Sequence, residues 1–212
     1  MNRFLMVDDH EIVRNGLKVV IKELYPSSYI AEAGNEATAM SILKHESFDI
    51  VILDIQLPDS DSFRLTEYIR KHLKPTRILI YSMAQESLYA RRMVRSGASG
   101  YIFKGSSLLD LKTAIETVLN GRVYLSREII EQLASDAGQS VNKNPFETLS
   151  AREFEVANLL MREKSLTNIA GVLGIGISTA ATHKSRLFEK LQIKSTSELI
   201  KLAQLYGNGQ WI

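Results

Sequence analysis

The sequence predicts an α/β fold followed by a small all-α one. Residues 1–120 read as an open, five-stranded, doubly wound parallel sheet, residues 121–147 as a linker with room for one short helix, and residues 148–212 as a helix-turn-helix domain. Three observations carry this. Short apolar runs alternate with stretches of helical spacing through the first 120 residues, the pattern of a parallel sheet with crossover helices. The runs are apolar almost throughout, as strands covered on both faces must be. The C-terminal segment has helix starts and stops and no strand pattern.

The expected strands are Phe4-Leu5-Met6-Val7, Tyr29 to Ala33, Ile50-Val51-Ile52-Leu53, Ile78 to Tyr81, and Gly100-Tyr101-Ile102-Phe103. Between the first two, Ile12/Val13, Leu17, Val20/Ile21 and Leu24 share one helical face. After the last, Leu108, Leu111, Ile115 and Val118/Leu119 share another, with Ser107 and Asp110 as a helix-start signal. Ser126 to Ala134 has the pattern of a short helix, and the polar run Asp136 to Pro145 that of an exposed linker. In the tail, Ser150 and Glu153 form a capping box, flanked by Leu149 and Phe154 at staple positions. A second helix spans about Ser165 to Leu173 and stops at Gly174. A third runs from near Ser178 to Leu191, and a fourth from about Ser197 to Tyr206, with Gly207 as its C-cap.

Composition excludes several classes. The 212 residues contain no cysteine, which removes disulfide frameworks, thiolate metal sites and cysteine nucleophiles. The longest apolar runs are strand-sized, too short to span a membrane, and Asp8-Asp9 comes too early for a signal peptide, so a cytoplasmic protein without membrane contact is expected. Net charge is +2, unevenly spread: 15 Lys/Arg face 15 Asp/Glu in residues 1–120, and 8 face 5 in residues 148–212. A basic tail is compatible with nucleic acid.

Polar residues stand at the expected carboxyl ends of four strands: Asp8 and Asp9, Asp54, Ser82 and Lys104. Ligands of open parallel sheets bind there, near the topological switch point. If strands one and three are neighbours at that point, three carboxylates converge and need a cation, and carboxylates with few other ligands suit Mg²⁺, which favours phosphate substrates. A lysine and a serine across the site would bind phosphoryl oxygens, and Asp54 would be the nucleophile of an aspartyl-phosphate. Singly, an acidic pair after a strand is a helix cap and a lysine a solvated side chain; jointly, in this order, they are a site. Val7-Asp8-Asp9-His10, Ile52-Leu53-Asp54-Ile55-Gln56-Leu57-Pro58, Ser82 and Lys104 resemble the receiver domain of two-component response regulators over about residues 1–120. The resemblance implies that Asp54 is the phospho-acceptor, that Asp8, Asp9, Asp54 and the Gln56 backbone carbonyl hold Mg²⁺, and that Ser82 and Lys104 bind the phosphoryl group. It implies that Tyr101 is the aromatic that rotates inward as Ser82 moves. Three positions depart from the pattern: Ser62 stands for a glycine, Gly105 follows the lysine, and Ala84 lies near the hydroxyl.

In the tail, Leu149-Ser-Ala-Arg-Glu-Phe-Glu-Val, Ile169-Ala170, Leu173-Gly174-Ile175, Thr179, His183 and Lys190-Leu191 resemble the LuxR-type module of the NarL/FixJ family of response regulators, over about 148–206. On the wheel of the third helix Ala180, Leu187, Phe188 and Leu191 face inward, and Ser178, Thr182, Ser185, Arg186 and Glu189 lie opposite. Ser178, Thr179, Thr182, Lys184, Ser185 and Arg186 are the candidate DNA contacts, with Lys184 packed along its stem and reaching a phosphate by its amine. Gly176 and Ala181 replace polar residues common in relatives, so the face is poor in charge and is expected to need two half-sites. His183 reads as a packed residue rather than a ligand. In the fourth helix Leu199, Ile200, Ala203 and Tyr206 supply the core stripe, leaving Leu202 and Leu205 as a candidate homodimer patch.

The expected function is a two-component response regulator, phosphorylated on Asp54 by a sensor histidine kinase, that dimerises, binds paired DNA half-sites and regulates transcription; it is not expected to be a stand-alone enzyme. A flavodoxin-like enzyme is the rival on fold grounds, but Asp8-Asp9-His10-Glu11 stands where a glycine-rich phosphate loop would be. A tail that binds protein rather than DNA is the other.

Overall fold

The computed structural model describes residues 1–58, 60–84, 86–136 and 144–206, the side chains of 132–136 excepted. The chain forms two compact units, 1–131 and 132–212.

In the first unit, β1 (Arg3–Val7), β2 (Tyr29–Ala33), β3 (Ile50–Leu53), β4 (Arg77–Ser82) and β5 (Gly100–Phe103) alternate with α1 (Glu11–Leu24), α2 (Glu36–His45), α3 (Ser62–His72), α4 (Glu86–Ser96) and α5 (Leu108–Leu119). The sheet is parallel throughout, in the order β2-β1-β3-β4-β5. The side-chain period of two divides each strand between two cores. Phe4, Met6, Ile50, Ile52, Leu79 and Ile102 pack with Leu17, Val20 and Ile21 of α1 and Leu111, Ile115 and Val118 of α5. Their neighbours Leu5, Val7, Val51, Leu53, Ile78 and Ile80 are equally buried, with α2 against β1 and β2, and α4 against β5 and α3. Order 2-1-3-4-5 puts the switch point between β1 and β3, whose register pairs Val7 with Leu53. The residues that follow, Asp8 and Asp54, therefore emerge side by side.

Helix starts are built locally. Asn35, Asp61 and Ser107 each accept a backbone N–H from three residues ahead, capping α2, α3 and α5. Two residues expected in the apolar stripes are exposed: Ile12 and Leu108 sit in the first turns of α1 and α5, off the stripes that Leu17, Val20 and Ile21 and Leu111, Ile115 and Val118 carry onto the sheet. After α5 the chain turns at Gly121, whose φ of +77° suits glycine, and returns to the sheet, where Tyr124 forms a parallel bridge with Gly100. Helix α6 (Arg127–Asp136) follows. Most of the expected polar linker, like Gly207, lies outside the described residues.

The second unit opens with a 3₁₀ turn at Pro145–Thr148, then α7 (Ala151–Met161), α8 (Leu166–Leu173), α9 (Ile177–Leu191) and α10 (Thr196–Tyr206). The capping box of α7 is complete: Ser150 Oγ accepts from Glu153 N, and the Glu153 carboxylate accepts from Ser150 N. Ser165 caps α8. Helix α8 ends at Gly174 in the left-handed region (φ +61°), and Ile175 and Gly176 complete a three-residue turn into α9. Helix α9 packs against α7 and α8, and α10 against α7. No helix among the described residues is long and apolar enough to cross a membrane.

Candidate functional site

The carboxyl edge of the sheet gathers the residues singled out in the first unit. Asp54 is 2% exposed and is held by the strand ends around it. Ser82 Oγ donates to its Oδ1 at 2.6 Å, the Gln56 backbone N–H donates to the same oxygen at 2.8 Å, and Lys104 Nζ reaches Oδ2 at 2.7 Å. Lys104 also pairs with Asp8 Oδ2 at 2.6 Å. Backbone bonds set this spacing: Asp54 N donates to Val7 O and Lys104 N to Ser82 O, both at 2.9 Å, so the parallel ladder itself delivers the four side chains to one point. Burial pushes the Lys104 ammonium down, but Asp54 and Asp8 more than reverse this, and the group stays charged.

The acids exceed the local cation. Asp8, Asp9 and Asp54 face one lysine, and with His10 they place ligand atoms within 4.8 Å of one another. Two of the three carboxylates are almost fully buried, where unbalanced negative charge is costly. A charge deficit of this size and an oxygen-rich donor set fit a divalent cation, so the cluster can hold a metal ion. Asp9 and Asp54 offer carboxylate oxygens from the β1 and β3 ends. Gln56 is placed by its bond to Asp54, which leaves its carbonyl on the same loop.

Two residues to which the sequence reading assigns no role complete the site. His10 donates its backbone N–H to Asp8 Oδ1 (2.9 Å), and its Nδ1 lies 2.9 Å from Asp9 Oδ1. Arg14, one turn further along α1, donates from Nη1 to the Asp8 backbone carbonyl (2.7 Å) and pairs with Glu32 of β2. It anchors the loop that presents both acids. The signal for it was available: a cation one helical turn beyond the motif, on the edge of an apolar stripe.

Tyr101 is fully buried and its hydroxyl donates to the Ala84 backbone carbonyl at 2.6 Å. Burial pushes the phenol well above its ordinary range, so it remains a donor. Ala84 N in turn donates to Ser82 Oγ at 3.3 Å, which links Tyr101 to Asp54 through the β4–α4 loop. Two of the three departures from the family pattern have local explanations. Ser62 starts α3 and its hydroxyl donates to the Ile55 carbonyl (3.2 Å). At Gly105 a Cβ would come within 2.3 Å of the Phe103 ring, so the absence of a side chain lets that ring close over the loop.

In the second unit the expected contact residues are spread over one face of α9. Ser178, Thr179, Thr182, Ser185 and Arg186 line it, all five exposed. Ala180, Leu187 and Leu191 are buried on the opposite side. Lys184 is half-buried, with its Nζ 5.4 Å from the Phe188 ring centroid. Thr182 Oγ1 donates back to the Ser178 carbonyl of its own helix. Gly176 caps α9 without a side-chain bond. His183 Nδ1 is buried, with no hydrogen-bond partner among the described residues. In α10, Leu199 and Ala203 are buried, Ile200, Leu202 and Tyr206 half-buried, and Leu205 74% exposed.

Comparison with known proteins agrees with this layout. Residues 4–116 match the family model of the response regulator receiver domain, and residues 147–203 that of bacterial regulatory proteins of the luxR family. The chain is similar to the response regulator GacA of Pseudomonas viridiflava (29% identity over 208 residues, 98% of this chain and 97% of GacA). It is also similar to the response regulator UvrY of Escherichia coli K12 (26%, 98% of this chain and 95% of UvrY). Among solved structures, RcsB of Salmonella enterica serovar Typhimurium, bound to promoter rprA in the presence of the phosphomimetic BeF3-, has the same fold (TM-score 0.77, 21% identity, 95% of this chain and 98% of that one). A two-component response regulator of the LuxR family from Aurantimonas sp. SI85-9A1 is 36% identical (TM-score 0.59, 65% of this chain and 98% of that one). The chain belongs to the response regulators of the NarL/FixJ family: a receiver domain followed by a luxR-type helix-turn-helix DNA-binding domain that serves transcription regulation.

Proposed function

We propose that Asp54 accepts a phosphoryl group from a sensor histidine kinase and that this controls dimerisation and sequence-specific DNA binding. The single observation that carries this reading is the buried Asp54 carboxylate held by Ser82, the Gln56 N–H and Lys104. A carboxylate so oriented is a nucleophile in place: an oxygen of Asp54 attacks phosphorus, a P–O bond forms, and the P–N bond to the donor histidine breaks. Ser82 and Lys104 then exchange Asp54 for phosphoryl oxygens, which a hydroxyl and an ammonium bind well. Asp8, Asp9, Asp54 and the Gln56 backbone carbonyl would hold Mg²⁺, which supplies positive charge to the transferring phosphoryl group when bound. Tyr101 acts as the switch residue through its bond to the loop that carries Ser82. The boundaries that fit this division of labour are a receiver at 1–120, a linker at 121–147 and a DNA-binding domain at 148–212. The chain takes a phosphate from a donor and is not a stand-alone enzyme; its place is the cytoplasm, where kinase output and DNA meet.

For the tail, Ser178, Thr179, Thr182, Ser185 and Arg186 are the contact face of α9, with Lys184 reaching a phosphate from its edge. RcsB bound to promoter DNA, and two RcsB dimers bound to two parallel DNAs, support this reading. Leu202 and Leu205 form the homodimer patch, since a face with so few charges needs two half-sites for useful affinity. The test is direct. Incubated with Mg²⁺ and a small phosphodonor, the protein gains one acid-labile phosphate by intact mass, and Asp54→Asn gains none; equal labelling of the two would overturn the assignment.

A further inference from the structure

Among the described residues, contacts hold the β4–α4 loop at its start, middle and end, and the last of these lies away from the phosphoryl site. Its start is tied to the site by Ser82 Oγ on Asp54 (2.6 Å), and its middle by the Tyr101 hydroxyl on the Ala84 carbonyl (2.6 Å). Its end is tied elsewhere: Glu86, the first residue of α4, accepts the Ser126 backbone N–H at 2.9 Å. Ser126 begins α6, accepting Ile129 N at its hydroxyl (3.3 Å) and Ile130 N at its carbonyl (3.1 Å). Glu86 thus holds the residue from which the interdomain helix starts.

The segment it holds is also attached to β5. Tyr124 N donates to Ser99 O (3.1 Å) and Tyr101 N donates to Tyr124 O (3.0 Å), so Tyr124, two residues before Ser126, is bonded to the β5 edge of the sheet. Gly100 permits the approach, since a Cβ there would lie 3.0 Å from the Tyr124 carbonyl. Tyr101 consequently touches both partners, the loop by its hydroxyl and the edge segment by its backbone.

Ser82 and Glu86 are only four residues apart in sequence, so their two contacts are coupled through a short stretch of chain. When Asp54 carries a phosphoryl group, Ser82 must re-aim from Asp54 Oδ1 to an oxygen further out. The Asp54 and Tyr101 pins are buried in the core, whereas Glu86 is only half-buried, so the Glu86 pin is the one that yields. We propose that Glu86 is a positioning residue: it latches the start of α6 to the β4–α4 loop, and phosphate capture at Asp54 releases that latch. The proposal rests on Asp54 being the phospho-acceptor.

Amide exchange of residues 126–131 in the full-length protein, with and without Mg²⁺ and a small phosphodonor, tests it, with intact mass recording the phosphate in parallel. Loss of one hydrogen bond to a charged group implies about tenfold faster exchange of this segment in phosphorylated wild type. Glu86→Ala shows the same acceleration without phosphate. Glu86→Gln, whose amide oxygen still accepts, exchanges like unphosphorylated wild type, and all three proteins take up phosphate equally. If Glu86→Ala exchanges like wild type, or if wild type carrying phosphate on Asp54 shows no acceleration, the latch is wrong and the phospho-acceptor stands. If no phosphate reaches Asp54, both are overturned.

Discussion

Asp54 and Arg186 carry one charge each and stand in opposite surroundings. Asp54 is buried at a strand end, with each carboxylate oxygen already bonded by Ser82, Gln56 or Lys104. Arg186 is exposed on α9, among serines and threonines of the same face. On the proposed function, the difference is one of task. A site that transfers a group needs its dipoles fixed before the reactant arrives, because reorganisation at the moment of reaction is what slows it. A surface that meets a polyanion gains by releasing counterions, so its charges stay in water until the phosphates come.

The largest effect expected from this contrast is at Lys104. Its side chain is 7% exposed and pairs with two buried carboxylates. Lys104→Ala leaves both without a cation and should destabilise the receiver by about 3–5 kcal/mol. Thermal melts in chelator and in Mg²⁺ check this: much of the loss returns with the divalent ion. Equal melting of variant and wild type in chelator would mean that the acids are balanced in another way.

An intermediate effect is expected in the tail, at a charged pair whose acid is buried. Glu153 closes the capping box and accepts from Lys190 Nζ at 2.6 Å. Burial pushes its carboxyl up, but Lys190 and the Ser150 bonds outweigh burial, and the net direction is down. A depressed carboxyl stabilises above its unfolded value, and that contribution is lost as pH falls through the folded one. Exchange at Ala151–Met161 should therefore rise only below the ordinary carboxylate range. Lys190→Ala moves that onset to higher pH, and Ser150→Ala costs about 1 kcal/mol at neutral pH. An onset unmoved in Lys190→Ala would refute the pairing.

The smallest effect on stability, and the most specific on binding, belongs to Arg186. Arg186→Ala leaves the stability within about 0.5 kcal/mol of wild type. It reduces the salt slope of log K for DNA by about one if the contact is to phosphate. An unchanged slope and affinity would move the interface off this face.

Legibility from sequence follows the same divide. Strand ends are legible because buried polar residues are rare: an acid or a lysine directly after an apolar run has few reasons to be there. The switch point and the convergence of Asp8, Asp54, Ser82 and Lys104 follow. Capping residues such as Ser107 and Ser150 are legible for a local reason, since cap and helix lie within three residues. Glu86 is not, because it acts beyond its own turn of helix, on Ser126 forty residues away. The exposure of Ile12 and Leu108 is also hidden, since spacing counts residues per turn but does not say where a helix runs past the edge of its sheet.

The central claim is that chemistry at Asp54 governs the exposed face of α9. Footprinting on genomic DNA fragments, with Mg²⁺ and with or without a small phosphodonor, tests it most directly. Wild type should protect paired half-sites at lower protein concentration once phosphorylated, and Asp54→Asn should show no such gain. Equal protection by wild type in both conditions, or an equal gain in Asp54→Asn, would contradict the account.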